Sequence, residues 1–513
     1  MTVKGYAKYL LIMAGLGGLI YGIDVGVIAA ALPYIRNTSN YSGLQLGFIV
    51  GAVLWGSVLS SLFAGTLAEW FGRKKIIIAS AFCFFISIPV ICLSGLFDGG
   101  NFILLTVGRT LQGASAGLVG VVIPMYLAEC LDSDSRGKGT GMFQLLLTIG
   151  LAFAAVIGLV VTGLVGDSDK ILKPFIDKAA TDAVAAGTIA TADKFEVTFA
   201  MIKSWVSPEQ IKGWATAWQT IFACSAIPGF ILFVGAFFLK ESPRWLYKKG
   251  LKEEALASLA ANNGADKAQL ILDEMIAADK AAEEEKAAIA KAAQGDTLFQ
   301  RKYIYPFLLA VVILACNQTT GINSVLNYTV DIFKATGMTG VLANFSDLAI
   351  KLVNVFMTVV ACALVDKKGR KFLLKLGTSG IILGLCGVAT TFLVISKGLV
   401  AASMTTGVIA TIFFFMFIAF YAVGPGVCVW LALSELMPTR IRATGMSIAM
   451  IINQGVSATI ASIFPAWKDA WGFPAVFYCL AGFTVIYFIA AAFFLPETKG
   501  KTLEEIEKYF SKK

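Results

Sequence analysis

Asp24 is the residue with the most chemistry to explain. It sits in Gly18-Leu-Ile-Tyr-Gly-Ile-Asp24, in the middle of an apolar run near the start of the chain. A carboxylate there is costly unless it is paired or protonated. Arg109, which begins another apolar stretch, is the natural partner. The 513-residue chain contains no His, which removes His-based proton relays, Ser–His hydrolysis and most zinc catalysis. If protons move through this protein, a carboxylate must carry them. Gln318 and Asn323 form a second candidate group, five residues apart around Gly321. Amides offer a donor and an acceptor to each hydroxyl of a polyhydroxylated molecule. The spacing offsets the two across a helix face, and Gly321 permits a local break that would aim both inward. Each amide alone reads better as an interhelical hydrogen bond.

A set of charged words occurs twice. Gly65-Thr-Leu-Ala-Glu69-Trp-Phe-Gly72-Arg73-Lys74, Glu129 with Arg136, and Glu241-Ser-Pro-Arg244 stand in the first half. Asp366-Lys-Lys-Gly369-Arg370-Lys371, Glu435 with Arg442, and Pro496-Glu497-Thr498 stand in the second. A doubled membrane chain with matched charges suggests two half-barriers rocking about a central site. Glu129 and Glu435 are offset by 306 residues, Glu241 and Glu497 by 256, so the first half carries an insert of 50 residues, at about 166–214. That insert holds Trp205 and Trp214; a bland loop fits it, and so does a lid or partner surface. Glu129, Arg136, Glu241 and Arg244 are expected to face Arg370, Glu435 and Arg442 as an inner gate. Their acidic members argue against a purely topogenic role, since Asp and Glu contribute little to topology.

The elements that position these residues are membrane helices. The chain is 57% hydrophobic, 15% charged and contains 50 Gly, a composition for close-packed spans rather than a soluble domain. Apolar runs of roughly 20 residues predict an all-α protein with twelve spans, near 7–32, 44–68, 75–96, 102–128, 138–165, 215–239, 304–333, 342–365, 372–395, 401–433, 443–465 and 472–495. They divide into an N-terminal half (1–239), a helical linker (240–303), a C-terminal half (304–495) and a tail (496–513). Lys and Arg concentrate in the loops at 69–75, 129–138, 366–375 and 435–442, which puts both termini and the linker in the cytoplasm. Asp273–Ala293 is rich in Ala, Glu and Lys and should be a solvated helix. The charge of +9 lies in short loops beside spans, so it is no nucleic-acid signature, and the nine Cys show no paired spacing for a disulfide framework or zinc site.

These words together resemble the sugar porters of the major facilitator superfamily. The resemblance rests on the Asp/Glu-x-x-Gly-Arg loop in both halves, Pro124-Met-Tyr-Leu-Ala-Glu129 with Arg136-Gly137, and Glu241-Ser-Pro-Arg-Trp-Leu246. Thr320-Gly-Ile-Asn323, Gly424-Pro-Gly426, Ser434-Glu435 and Pro496-Glu-Thr498 complete it. It implies two six-helix halves and alternating access. It also implies that Asp24 and Arg109 couple protons to transport, as in bacterial xylose and glucose symporters, with Gln144, Asn317, Gln318, Asn323, Asn354, Trp430 and Asn453 binding the sugar. Several positions depart from the family pattern. Ser225 stands where the xylose symporters carry a second acid, which keeps facilitated diffusion open. Asn317 replaces a Gln, Gln454 a Trp, and Asn327-Tyr328 a Tyr-Tyr pair; the pocket is then more polar, and a pentose, a hexose or a polyol fits.

Proton-coupled monosaccharide import across the plasma membrane, by a monomer in the lipid bilayer, is the leading expectation. A uniporter, a polyol or inositol carrier and a transporter-like sugar sensor are the alternatives. No enzyme activity, cofactor, metal or nucleic acid is expected, and no phosphate-binding loop indicates an ATP-driven pump. Gly424-Pro425-Gly426 should break the tenth span, as a hinge or as an inert kink.

Overall fold

The computed structural model describes residues 3–130, 133–186, 188, 195, 197–264, 267–277, 280, 284, 300–437, 441–497 and 510. Among them the chain is helical, with no strand. Five helices open the molecule: α1 (Val3–Thr38), α2 (Gly43–Phe71), α3 (Arg73–Ser94), α4 (Phe102–Cys130) and α5 (Ser133–Val165). The insert folds into α6 (Ser168–Ala185) and α7 (Phe199–Trp205). The sixth span starts earlier than the hydropathy suggests. It runs as α8 (Pro208–Cys224) and α9 (Ala226–Ala236), started by the Ser207 cap and Pro208. Trp214 therefore belongs to a span, where it is buried, and not to the insert.

The linker contributes α10 (Pro243–Lys248), α11 (Lys252–Asn263) and α12 (267–277). Leu259, Ala268 and Leu272 give it a small apolar cluster of its own. Most of the expected Asp273–Ala293 helix lies outside the described residues. The second set of spans is α13 (Arg301–Thr319), α14 (Ile322–Ala335), α15 (Gly340–Lys368), α16 (Arg370–Ser396), α17 (Met404–Val423), α18 (Pro425–Leu436) and α19 (Arg442–Ile489).

Among the described residues eleven helices are long and apolar enough to cross a membrane, and the last covers 50 residues, Gly445–Phe494. At 1.5 Å per residue that is about 75 Å, twice what a bilayer needs. Gly472, with φ +76°, interrupts it, so it is two spans and the total is twelve. Two more breaks fall where Gly removes the steric cost of non-helical backbone. Gly321 is left-handed (φ 80°, ψ 13°) between α13 and α14. Gly424 (φ −102°, ψ −93°) separates α17 from α18.

Among the described residues the halves share an apolar core at one end. At the end carrying the insert, a single apolar core takes residues from both, including Val27, Ile35, Val325, Phe333, Phe414 and Phe477. At the end carrying the linker the core divides. One cluster holds first-half residues, from Tyr6 to Leu239; another holds second-half residues, from Leu309 to Phe510. Packing between halves runs through α1 with α14, α2 with α19 and α5 with α15. Small residues allow it: a side chain at Gly47 would collide with the Ser462 carbonyl at 2.0 Å. Among the described residues, the apolar packing that both halves share lies at the insert end.

Candidate functional site

Asp24 and Arg109 meet in the first half. The Arg109 Nη1 lies 3.6 Å from Asp24 Oδ1, and both side chains are buried, at 1% and 0% exposure. The same nitrogen donates to the Asp24 backbone carbonyl at 3.3 Å and to Gln112 Oε1 at 2.8 Å. The Phe222 ring stands 5.5 Å from the guanidinium. No hydrogen bond reaches either Asp24 oxygen among the described residues. The contact is one of charge alone, and both oxygens are open to a proton. Ser225 is buried and donates to the Phe222 carbonyl at 2.5 Å; it closes the step between α8 and α9.

Four of the expected sugar ligands lie in α13 and α14, on either side of the Gly321 break, and in α19. Gln318 Nε2 donates to Asn453 Oδ1 at 3.2 Å. Asn323 Nδ2 donates to Gln318 Oε1 at 3.0 Å and to Ser457 Oγ at 2.7 Å. Asn453 Nδ2 holds the Leu314 carbonyl at 2.8 Å. Gly321 makes the Asn323–Gln318 bond possible, because a straight helix would offset residues 318 and 323. Asn317 is buried beside Tyr421, with its Oδ1 left without a hydrogen bond. Asn354 is half-buried on α15 and Gln144 is exposed on α5. The Trp430 side chain lies outside the described residues. Tyr21, one turn before Asp24, stands beside Gln454 and Ser57; sequence reasoning passed over it as an ordinary span aromatic.

The described contacts of Glu129, Glu241 and Glu497 run to groups of the same half or to the start of the linker. Arg73 Nε and Nη2 grip both oxygens of Glu129 at 2.8 and 2.7 Å, and Ser242 Oγ adds a 2.5 Å bond. Glu241 Oε1 accepts from the Arg73 and Lys74 backbone N–H groups at 2.8 and 3.1 Å. Glu497 does the same for Arg370 N at 3.1 Å. The repeated words thus share one design: a carboxylate seated on the N-terminus of the third helix of its half, where the dipole favours it. Gly72 and Gly369 (φ 96° and 86°) make room, since an added side chain would meet the Glu241 and Glu497 carboxylates at 2.3 and 2.8 Å. Among the described contacts none joins Glu129 or Glu241 to the second half. Arg244 and Arg370 are half-buried in the same regions. The side chains of Arg136, Glu435 and Arg442 lie outside the described residues. Arg73 was legible only as a loop charge; its signal was the Glu129 that accompanies it.

The insert end carries charge contacts that sequence reasoning did not assign. Lys334 Nζ of α14 bonds Asp167 Oδ1 at 2.6 Å and Asp169 Oδ2 at 2.8 Å. Gly340 N donates to Asp167 Oδ2 at 2.7 Å, and Arg36 pairs with Asp331. Each of these links one half to the other. Burial by itself would raise the Asp169 carboxyl, but Lys334 and Arg36 hold it below the ordinary carboxylate value. Its contribution is therefore present above about pH 4 and fades as pH falls through that lowered value. A Lys334→Gln variant is expected to lose about 1.5 kcal/mol of closure, a tenfold shift toward opening at this end. A cysteine placed behind the latch in a cysteine-free background should be alkylated about tenfold faster; an unchanged rate would show that the latch carries no closure energy.

A family model described as sugar (and other) transporter matches residues 10–510. The chain is 28% identical over 502 residues to a D-xylose transporter of Levilactobacillus brevis, covering 97% of this chain and 94% of that one. It is 27% identical over 509 residues to an arabinose-proton symporter of Bacillus subtilis, covering 99% and 96%. Among solved structures it is similar to the inward-open xylose transporter XylE from E. coli, with a TM-score of 0.73 and 23% identity over 98% of this chain and 100% of that one.

Proposed function

The chain belongs to the sugar (and other) transporter family, and on that premise we propose that it imports a monosaccharide with a proton by alternating access. The family makes it a multi-pass membrane transporter and not an enzyme. The observation that carries the proton is the buried Asp24 carboxyl, facing Arg109 with both oxygens free of hydrogen bonds. Ionised Asp24 holds Arg109; a proton on Asp24 releases it to Gln112 and changes which arrangement of the halves is favoured.

Gln144, Asn317, Gln318, Asn323, Asn354, Trp430 and Asn453 are the sugar contacts in this reading. Gln318, Asn323 and Asn453 bond one another, and sugar hydroxyls exchange for those bonds. The linker end is cytoplasmic by the positive-inside rule, and an inward-facing arrangement fits the packing that the two halves share at the insert end. Residues 240–303 tether halves 1–239 and 304–495. In the opposite arrangement the two linker ends close, and Glu129, Arg136, Glu241 and Arg244 then meet Arg370, Glu435 and Arg442. The protein works as a monomer in the plasma membrane.

A uniporter is the second reading, favoured by Ser225 in place of an acid. Uptake of labelled D-xylose, L-arabinose, D-glucose and myo-inositol, with and without a protonophore, separates the two. Symport requires that the protonophore collapse accumulation to equilibrium; accumulation that never exceeds equilibrium in energised cells leaves the uniporter. Gln318→Ala should raise the KM for the accumulated sugar about tenfold, the effect of about 1.4 kcal/mol of lost hydrogen bonding. An unchanged KM in initial-rate uptake would remove Gln318 from the site.

A further inference from the structure

One buried charge pair has no place in that mechanism. Asp347 and Lys351 stand one turn apart on α15, both at 0% exposure, with Nζ 2.7 Å from Oδ2. Asp347 Oδ1 has no hydrogen bond among the described residues. Ionisable side chains inside a membrane are expensive, and well-packed apolar residues would serve packing at least as well. An i,i+4 pair alone adds only tenths of a kcal/mol to a helix.

What the pair does is reach across the halves. Lys351 Nζ also donates to the Gly26 carbonyl of α1, at 3.4 Å. Arg109 donates to the Asp24 carbonyl two residues earlier. One turn of α1 therefore receives a cation from each half: Arg109 from the first, Lys351 from the second. The same face of α15 carries Asn354, three residues beyond Lys351. The stretches of α5, α8, α9, α14 and α17 packed around α1 and α15 at this level (142–165, 215–236, 322–330, 404–423) hold no Asp, Glu, Lys or Arg. Asp24, Arg109, Asp347 and Lys351 are the described charges at that turn; Asp331, next along α14, is paired with Arg36.

We infer that Lys351, held by Asp347, is a positioning residue that registers the proton-binding turn of α1 against the second half. Protonation of Asp24 frees Arg109, the turn at Asp24–Gly26 shifts, and Lys351 carries that shift to the helix bearing Asn354. The inference rests on the proton-coupled reading above. It locates the hand-over between proton and sugar at a backbone carbonyl, Gly26, rather than at a second acid in the sixth span.

The test is made on the full-length protein in energised vesicles, with radiolabelled D-xylose, or L-arabinose or D-glucose if the wild type prefers it. Asp347→Ala with Lys351→Met removes both charges together and leaves no buried orphan. That double variant is expected to equilibrate sugar without concentrating it, a loss of about 50-fold per 100 mV of driving force for one proton. Its exchange of labelled for unlabelled sugar should stay within about threefold of wild type, and Lys351→Arg should restore at least half of the accumulation. Accumulation within twofold of wild type in the double variant overturns the inference. Loss of exchange together with accumulation overturns it too, since it marks a residue needed for turnover and not for coupling. Asp24→Asn run in parallel separates the two levels: if that variant still concentrates sugar, the proton reading fails first.

Discussion

Asp24→Asn is expected to yield a carrier that equilibrates its sugar and never concentrates it. The substitution keeps the shape of the side chain and removes its charge and its titration. Arg109 then has no carboxylate to hold, yet Gln112 Oε1 at 2.8 Å, the Asp24 carbonyl at 3.3 Å and the Phe222 ring remain. The fold should therefore survive. What is lost is the link between proton occupancy and the balance of the two arrangements. One proton crossing 100 mV supplies about 2.3 kcal/mol, close to a 50-fold sugar gradient, and that whole gradient should vanish. Exchange at equal sugar concentrations needs no driving force and should persist. Vesicles that impose a membrane potential measure both in one preparation. A variant that still accumulates sugar against its gradient would end the assignment of Asp24 as the coupling carboxylate.

Arg73→Leu should be the most destabilising single change at the linker end, by about 3 kcal/mol. Its guanidinium closes both oxygens of Glu129 and donates from Nη1 to the Ala68 carbonyl at 3.0 Å. Side-chain exposures of 8% and 10% leave little water to take its place. After the change Glu129 keeps Ser242 but no cation among its described partners. The pair joins α3 to α4, and Ser242 extends it to the first turn of the linker, so these pieces move together when the halves rock. Thermal unfolding in detergent should show a clear fall in Tm for Arg73→Leu. Arg73→Leu with Glu129→Leu should recover most of it, because no unpaired charge is then buried. A single variant as stable as wild type would mean that the pair is not a structural tie.

Much of the fold was legible because its causes are local. Runs of apolar residues define spans whatever their neighbours are, and Gly321 and Gly424-Pro425 announce breaks through backbone sterics. The offsets of the repeated words announced an insert, but its end, expected near 214, falls inside a helix that begins at Pro208. The merged eleventh and twelfth spans show the same thing from the other side: hydropathy separated them, and the backbone at Gly472 shows where. The site was legible in part. Asp24 stood out as an acid in an apolar run, and Arg109 as its counter-charge. By the same rule Asp347 and Lys351, one turn apart in the eighth apolar run, were a signal in plain view that was left unread.

The amino-acid sequence by itself determined the class of molecule: twelve apolar helices in two related halves, a buried carboxylate without histidine, and amides gathered around a helix break. These follow from composition, periodicity and the steric limits of glycine and proline, which act within a few residues. Only the tertiary structure decided which charges meet. It seated Glu241 and Glu497 on helix ends of their own halves, gave Glu129 to Arg73, drew Lys334 to the insert, and sent Lys351 across to Gly26. Those choices depend on how distant parts of the chain pack together, and hydrogen-bonded charge contacts need their atoms within about 3 Å. No spacing along the chain encodes that distance.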